Sequence, residues 1–348
     1  MLNNHRISGF LGLLILAPFS LLYGQSQGTP RIYEGRPGGP RIIEEGQPSV
    51  LVHPRVEDAD HSQEVDRSGE DGGHPQFARS GSAGTVSKLS YHGGIGGIGV
   101  ETTPKIYLVL WGSQWSSDPS GEATILTNFY TGVGGSPWMN SVTQYCQGVP
   151  SGTVTCGASG VHAGNPAAIL AGTWRDSTST APTHPTQSQL AAEALKAASH
   201  FGNTTSTSNA SVQYVIATPH GYNSSGFGTQ YCAWHSWTSS SAGYIAYTNL
   251  PYMTDAGASC GANFNGLGPT AGITIVAGHE MGETMTDQLP SSGWTDSGGA
   301  ENGDKCAWIS SGQGASANIN LITGPFAVQS LWSNAFNGGV GGCVLAYP

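Results

Sequence analysis

The chain has 348 residues, and its 12 Lys and Arg against 22 Asp and Glu leave a formal net charge of −10. Residues 1–105 hold nine of the twelve bases; the following 243 residues hold only Arg175, Lys196 and Lys305, beside eleven acids. Three bases cannot neutralise a phosphate backbone, so nucleic acid and other polyanions are excluded as partners.

The first residues, MLNNHRISGFLGLLILAPFSLLYGQSQ, place Arg6 before an apolar run from Phe10 to Leu22 and end in small and polar residues. That is the layout of a secretory signal peptide over 1–24, and the run falls short of the roughly 20 residues a membrane span needs. A buried helix opening a domain is the alternative. The mature chain is therefore expected to be secreted, extracellular and without a membrane span. Six cysteines suit that compartment, and neighbour pairing is expected: Cys146 with Cys156, Cys232 with Cys260, Cys306 with Cys343. No C-x-x-C spacing favours a cysteine zinc site.

Residues 25–87 are rich in Pro, Gly and mixed charge with no sustained period of 2 or 3.6, which predicts a disordered linker or pro-segment. A single folded domain is expected over 88–348. KIYLVLW (105–111) and VQYVIAT (212–218) are short, β-branched or aromatic and bounded by breakers, which predicts strands. TQSQLAAEALKAASHFG (186–202) predicts a helix, with Thr186 and Gln189 at capping-box spacing and Gly202 past its end. Gly, Ser, Thr and Asn elsewhere imply turns and long loops tied by disulfides. The fold class is α+β.

Six of the eleven acids, Glu280, Glu283, Asp287, Asp296, Glu301 and Asp304, fall within 25 residues. The segment IVAGHEMGETMTDQ (275–288) lies in a helix predicted over 271–287. At about 100° per residue, Glu283 sits about 40°, Asp287 about 80° and Glu280 about 100° from His279, so four ionisable groups share one side, at a cleft. Glu283 and Asp287 repel at i, i+4 by a few tenths of a kcal/mol, with no base on the helix to relieve them. Gly278 and Gly282 each cost roughly 1 kcal/mol against Ala, and they let another segment approach closely. A bound cation turns the repulsion into coordination. A solvated acidic face is the competing reading.

In the metal reading His279 and Glu283 ligate, Glu301 or Asp287 supplies a third ligand, and Glu280 takes a proton from water. Glu301 follows Glu283 by 18 residues, enough for the chain to turn at LPSSGW and come back beside the helix. The metal expected is zinc, and the carboxylate-rich set also admits calcium or manganese.

These residues resemble a known family. AGHEMGETMTDQLPSSGW followed by ENGDKCAW is similar to the His-Glu-x-x-Glu and downstream acidic-Cys segments of EXORDIUM-like secreted proteins, the phosphate-induced proteins. KIYLVLWGSQW, YCAWHSW and VQSLWSNAFNGGVGGC match further segments in the same order, so the likeness spans 105–343. It implies an exported, wall-associated protein, without a defined reaction. It carries over His279, Glu280, Glu283, Glu301 and Asp304 as site candidates and adds His235 as a ligand or polariser; between Trp234 and Trp237, His235 could equally be a packed core imidazole.

The leading expectation is a secreted, zincin-like metallohydrolase acting on peptides. The alternative is a non-enzymatic extracellular or cell-wall protein with a structural cation. Glycan binding through Trp234, Trp237, Trp294 and Trp308, taken as exposed, is compatible with either.

Overall fold

The computed structural model describes residues 87–348 and, before them, only the backbone of three two-residue strands, Arg31–Ile32, Ile43–Glu44 and Leu51–Val52. The leader expected over 1–24 and most of the linker expected over 25–87 lie outside the described residues.

The chain is mixed α+β around one mixed sheet. Strand β1 (Lys105–Trp111) lies next to one edge of the six-stranded sheet, with the edge strand β2 (Leu170–Asp176) parallel on one side and β3 (Val212–Ala217) parallel on the other. Two further strands, β4 (Trp234–Ser240) and β5 (Gly243–Leu250), form a hairpin whose second strand runs parallel to β3 and whose first is antiparallel. Beyond β4, Leu51–Val52 pairs antiparallel with Val52 opposite Trp234 and Leu51 opposite His235.

Strand pleating sorts side chains by period 2. Ile106, Leu108 and Leu110 of β1 join the larger core, while Val109 and Trp111 join a second core on the other face. That second face is covered by helix α2 (Gln187–His200), through Leu190, Ala194, Ala197 and Ala198. Its capping box forms as expected, with Thr186 accepting from the Gln189 N–H and Gln189 returning to the Thr186 N–H. Such a cap is worth about 1 kcal/mol.

The larger core holds α1 (Glu122–Val133) and α3 (Ala271–Thr286). All 16 residues of α3 are buried, as for a helix walled in on every side. Its glycines are the means. A Cβ on Gly278 would stand 3.3 Å from both Phe129 and Trp138, and one on Gly282 would stand 3.0 Å from Leu331. The acidic residues of α3 are therefore not a solvated face, and the ionisable groups line no open cleft: His279 is 0 % exposed, Glu280 and Glu283 1 % each.

The three disulfides join Cys146 to Cys156, Cys232 to Cys260 and Cys306 to Cys343, the neighbour pairing expected. They suit an oxidising, extracellular environment. By loop-entropy reasoning each contributes about 3–4 kcal/mol. No helix among the described residues is long and apolar enough to cross a membrane.

Helix α1 and strands β2, β4 and β5 had no counterpart among the expected elements. WHSWTSS of β4 reads as loop because of its serines and threonine, yet Ser236 is fully buried and pairs with Tyr247. The hairpin turns through Ser241 and Ala242 into Gly243 at φ +90°, where a Cβ would also press on Ser206. Trp234, Trp294 and Trp308 are 6 %, 0 % and 0 % exposed, so these rings are core packing and offer no glycan platform. Trp237 is half-buried against Tyr244.

Candidate metal centre

Three segments meet beneath the sheet. Pleating sends Trp234 of β4 to the α2 face, so His235, its neighbour, faces α3. There His235 Nδ1 lies 3.1 Å from Glu280 Oε2 and 3.7 Å from Glu283 Oε2, and its Nε2 lies 3.5 Å from Glu301 Oε2. On α3 itself, His279 Nε2 stands 3.0 Å from Glu283 Oε1 and 3.8 Å from Asp304 Oδ1.

The third segment returns after α3 as the spacing predicts. Asp287 ends the helix by accepting the N–H groups of Ser291, Ser292 and Gly293 at 2.7, 3.1 and 2.5 Å, which folds the LPSSG turn. Trp294–Thr295 then pairs with Ser90–Tyr91. Asp296 closes the next turn through the Gly298 and Ala300 N–H groups and holds Lys305 Nζ at 2.8 Å. Asn302 docks the segment on the helix, its Nδ2 donating to Gly282 O at 2.8 Å and Thr286 Oγ1 at 2.6 Å. The Asp304 N–H donates to Glu283 Oε1 at 2.8 Å.

Two overlapping donor groups result: His235, Glu283 and Glu301, and His279, Glu283 and Asp304, each with donor atoms within 4.8 Å of one another. Asp287 belongs to neither. Both its oxygens are engaged by the backbone of the turn, so its expected part as third ligand gives way to a capping one. His235 is not an isolated packed imidazole, because it faces three carboxylates.

The polar satisfaction is one-sided. His235 Nε2, Glu280 Oε1, both oxygens of Glu301 and Asp304 Oδ1 are buried without a hydrogen-bond donor or acceptor matched to them. Glu301 and Asp287 approach each other as hydrogen-bonding partners only if one of them carries a proton. Leaving buried polar atoms unmatched costs about 1–3 kcal/mol each, more when charged. His279 is oriented from behind: Gln329 Nε2 donates to Gly303 O at 2.7 Å and Ser330 O at 3.2 Å, which turns Gln329 Oε1 to His279 Nδ1 at 3.1 Å. Nδ1 must then carry the hydrogen, and Nε2 is aimed at carboxylate oxygens. A lone pair facing anions needs a positive charge between them, either a proton or a metal ion.

The electrostatics point the same way. Burial and the surrounding carboxylates push Glu301 and Asp304 well above the usual carboxylate range. Glu280 is raised chiefly by burial. Burial also pushes Asp287 up to about 6 despite its three backbone donors. For Glu283, burial is outweighed by the facing imidazole of His279 and then by His235, so its carboxyl is held low. Burial disfavours charge on His279, yet Glu283, Glu280 and Asp304 carry it up to about 9.

The donor set of imidazole nitrogens and carboxylate oxygens suits zinc and manganese; the oxygen-rich share also admits calcium. Gln329 and the carboxylate of Glu280 behind the two imidazoles are the outer hydrogen-bond partners that ligating histidines use. Gly303 leaves room for this packing, since a Cβ there would stand 2.8 Å from His279 Nδ1 and 2.9 Å from Glu283 Oε1.

The expected residues His235, His279, Glu280, Glu283, Glu301 and Asp304 thus converge, and Asp287 supports them from the turn. Gln329, Asn302 and Gly303 were not anticipated. Their signals were faint: a Gln inside the apolar run FAVQSLW, and an Asn-Gly pair between two acids. No family model, curated protein or solved structure matches this chain.

Proposed function

We propose that the protein is a secreted, zincin-like metal-dependent hydrolase in which His279, Glu283 and Asp304, with Glu301 and His235 adjoining, hold a divalent cation and Glu280 acts as general base. The observation that carries the reading is the convergence of two imidazoles and four carboxylates in a buried space, with no lysine or arginine paired to them among the described residues. The segments that resemble EXORDIUM-like proteins are the ones that supply these side chains.

A divalent cation bound there supplies Lewis acidity, polarising a carbonyl and making a nearby water acidic at neutral pH. The chain's own residues do the rest. Gln329 holds the His279 ring in one tautomer. The Asp304 N–H and His279 together fix Glu283. Glu280 uses Oε2 toward His235, while its Oε1 has no partner and can accept a proton. The peptide class rests on β4, the strand bearing His235, whose outer side accepts an extended segment, Leu51–Val52, in antiparallel register. In this reading an extended peptide substrate docks by the same backbone pairing, in the place of Leu51–Val52.

The near-complete burial of the cluster favours a second reading, a structural cation that ties β4, α3 and the Cys306 segment together. Metal content and peptide hydrolysis of wild type and Glu280→Gln separate the two. The hydrolase reading expects Glu280→Gln to keep its metal and lose hydrolysis by at least about 100-fold. Metal-loaded wild type that cleaves nothing across a broad peptide panel supports the structural cation instead.

A further inference from the structure

Building on the metal reading above, we infer that the centre holds two divalent cations bridged by the carboxylate of Glu283, not one.

Glu283 is divided between two partners. Its Oε1 faces His279 Nε2 at 3.0 Å, and its Oε2 lies on the other side, 3.7 Å from His235 Nδ1, so each oxygen is turned to a different imidazole, and His235, Glu283 and Glu301 have donor atoms within 4.8 Å of one another. Each imidazole has its own further carboxylate: Asp304 Oδ1 at 3.8 Å from His279, and Glu301 Oε2 at 3.5 Å from His235. The two donor groups share no residue except Glu283. A carboxylate used through both oxygens is how paired-cation sites hold ions about 3.5–4 Å apart.

Unmatched atoms support the second half independently of the first. Glu301 and His235 are each 0 % exposed; His235 Nε2 lacks a hydrogen-bond partner, and the Glu301 oxygens have none beyond a proton shared with Asp287. His235 Nδ1 is turned to Glu280, as an N–H donating to a carboxylate, which leaves Nε2 for the space beside Glu301. A single cation between His279 and Asp304 does nothing for those atoms.

Charge balance agrees. With Asp287 held by the N–H groups of its turn, two divalent cations neutralise the four carboxylates of Glu280, Glu283, Glu301 and Asp304, whereas one leaves two of those negative charges over in a buried space. Lys305, the nearest base in sequence, is taken up by Asp296. Each half offers one nitrogen and two carboxylates, a set suited to zinc or manganese.

The test is the number of cations bound by the intact disulfide-bonded protein, after stripping with chelator and titration with manganese, read by elemental analysis and electron paramagnetic resonance. Two equivalents per chain with an exchange-coupled manganese signal are expected. Glu301→Gln and Asp304→Asn should each retain one equivalent and give an uncoupled signal. One equivalent in wild type, without coupling, overturns the pair and leaves the metal reading standing; His235 is then an imidazolium among carboxylates. No bound cation overturns both. The wild-type count needs no variant to fold.

Discussion

Gly303→Ala places one methyl group against the centre without removing any ligand. The backbone at Gly303 has φ −76° and ψ −45°, an ordinary helical conformation, so Ala is not strained there. It even gains about 0.4–1 kcal/mol by restricting the unfolded chain. The new Cβ would stand 2.8 Å from His279 Nδ1, 3.0 Å from its Cγ and 2.9 Å from Glu283 Oε1, where ordinary contact begins at 3.4 Å. Three atoms must retreat by about half an ångström, and His279 cannot do so without losing Gln329. Overpacking of this kind costs about 1–3 kcal/mol. With the cation bound the cost falls on the ligand geometry as well as on the packing. Metal affinity is therefore expected to drop about 10-fold or more, at about 1.4 kcal/mol per decade, and metal-free stability to fall by no more than the about 1–3 kcal/mol of the overpacking. Competition against a fluorescent chelator reads the affinity, and thermal unfolding of the stripped protein reads the control. Wild-type affinity in Gly303→Ala would refute the packing of Gly303 against the ligands.

Gln329→Leu removes the partner that orients His279 and should cost 10–100-fold in metal affinity, as loss of such partners does, while keeping circular dichroism unchanged. Buried Glu101, whose Oε2 accepts from Gln213 at 2.9 Å, is pushed by burial up to about 8. A raised carboxyl binds its proton more tightly in the folded state, so its contribution is fully present below the unfolded value near 4.5 and is lost as pH rises through about 8. Urea melts should accordingly show Glu101→Gln gaining on wild type from pH 5 to pH 8, by a few kcal/mol at most; equal slopes would contradict it. Replacing Cys306 and Cys343 by Ser frees the returning segment that carries Glu301 and Asp304. That pair of changes should lower stability by about 3–4 kcal/mol and weaken metal binding together. Unchanged binding would separate the disulfide from the site.

Strand β1 and the capped helix were legible because their signals are local. KIYLVLW alternates between two apolar faces, and Thr186 with Gln189 sits at capping distance. The spacing from Glu283 to Glu301 correctly implied a returning segment, since Asp287 and Asp296 each close the turn they precede. What stayed hidden depends on tertiary burial. Ser236, Thr248 and Asn249 are buried in the β4–β5 hairpin, where paired backbone lets small polar residues read as loop. The division of Glu283 between His235 and His279 joins a strand 44 residues upstream to a helix, which no periodicity within α3 reveals. Nor does the pattern of α3 betray its complete burial, because His279, Glu280, Glu283 and three threonines stand among its apolar residues and read as a solvated side.

Thermal unfolding of the purified protein before and after chelation, with zinc or manganese added back, bears most directly on why carboxylates and imidazoles are gathered beneath this sheet. A cation at 1,000 times its dissociation constant stabilises by about 4 kcal/mol, or very roughly 10 °C for a domain of this size. Chelation should lower the midpoint by that order, and the added ion should restore it. A stripped protein free of metal that melts at the same temperature as the untreated one would show that the cluster holds itself together without a cation.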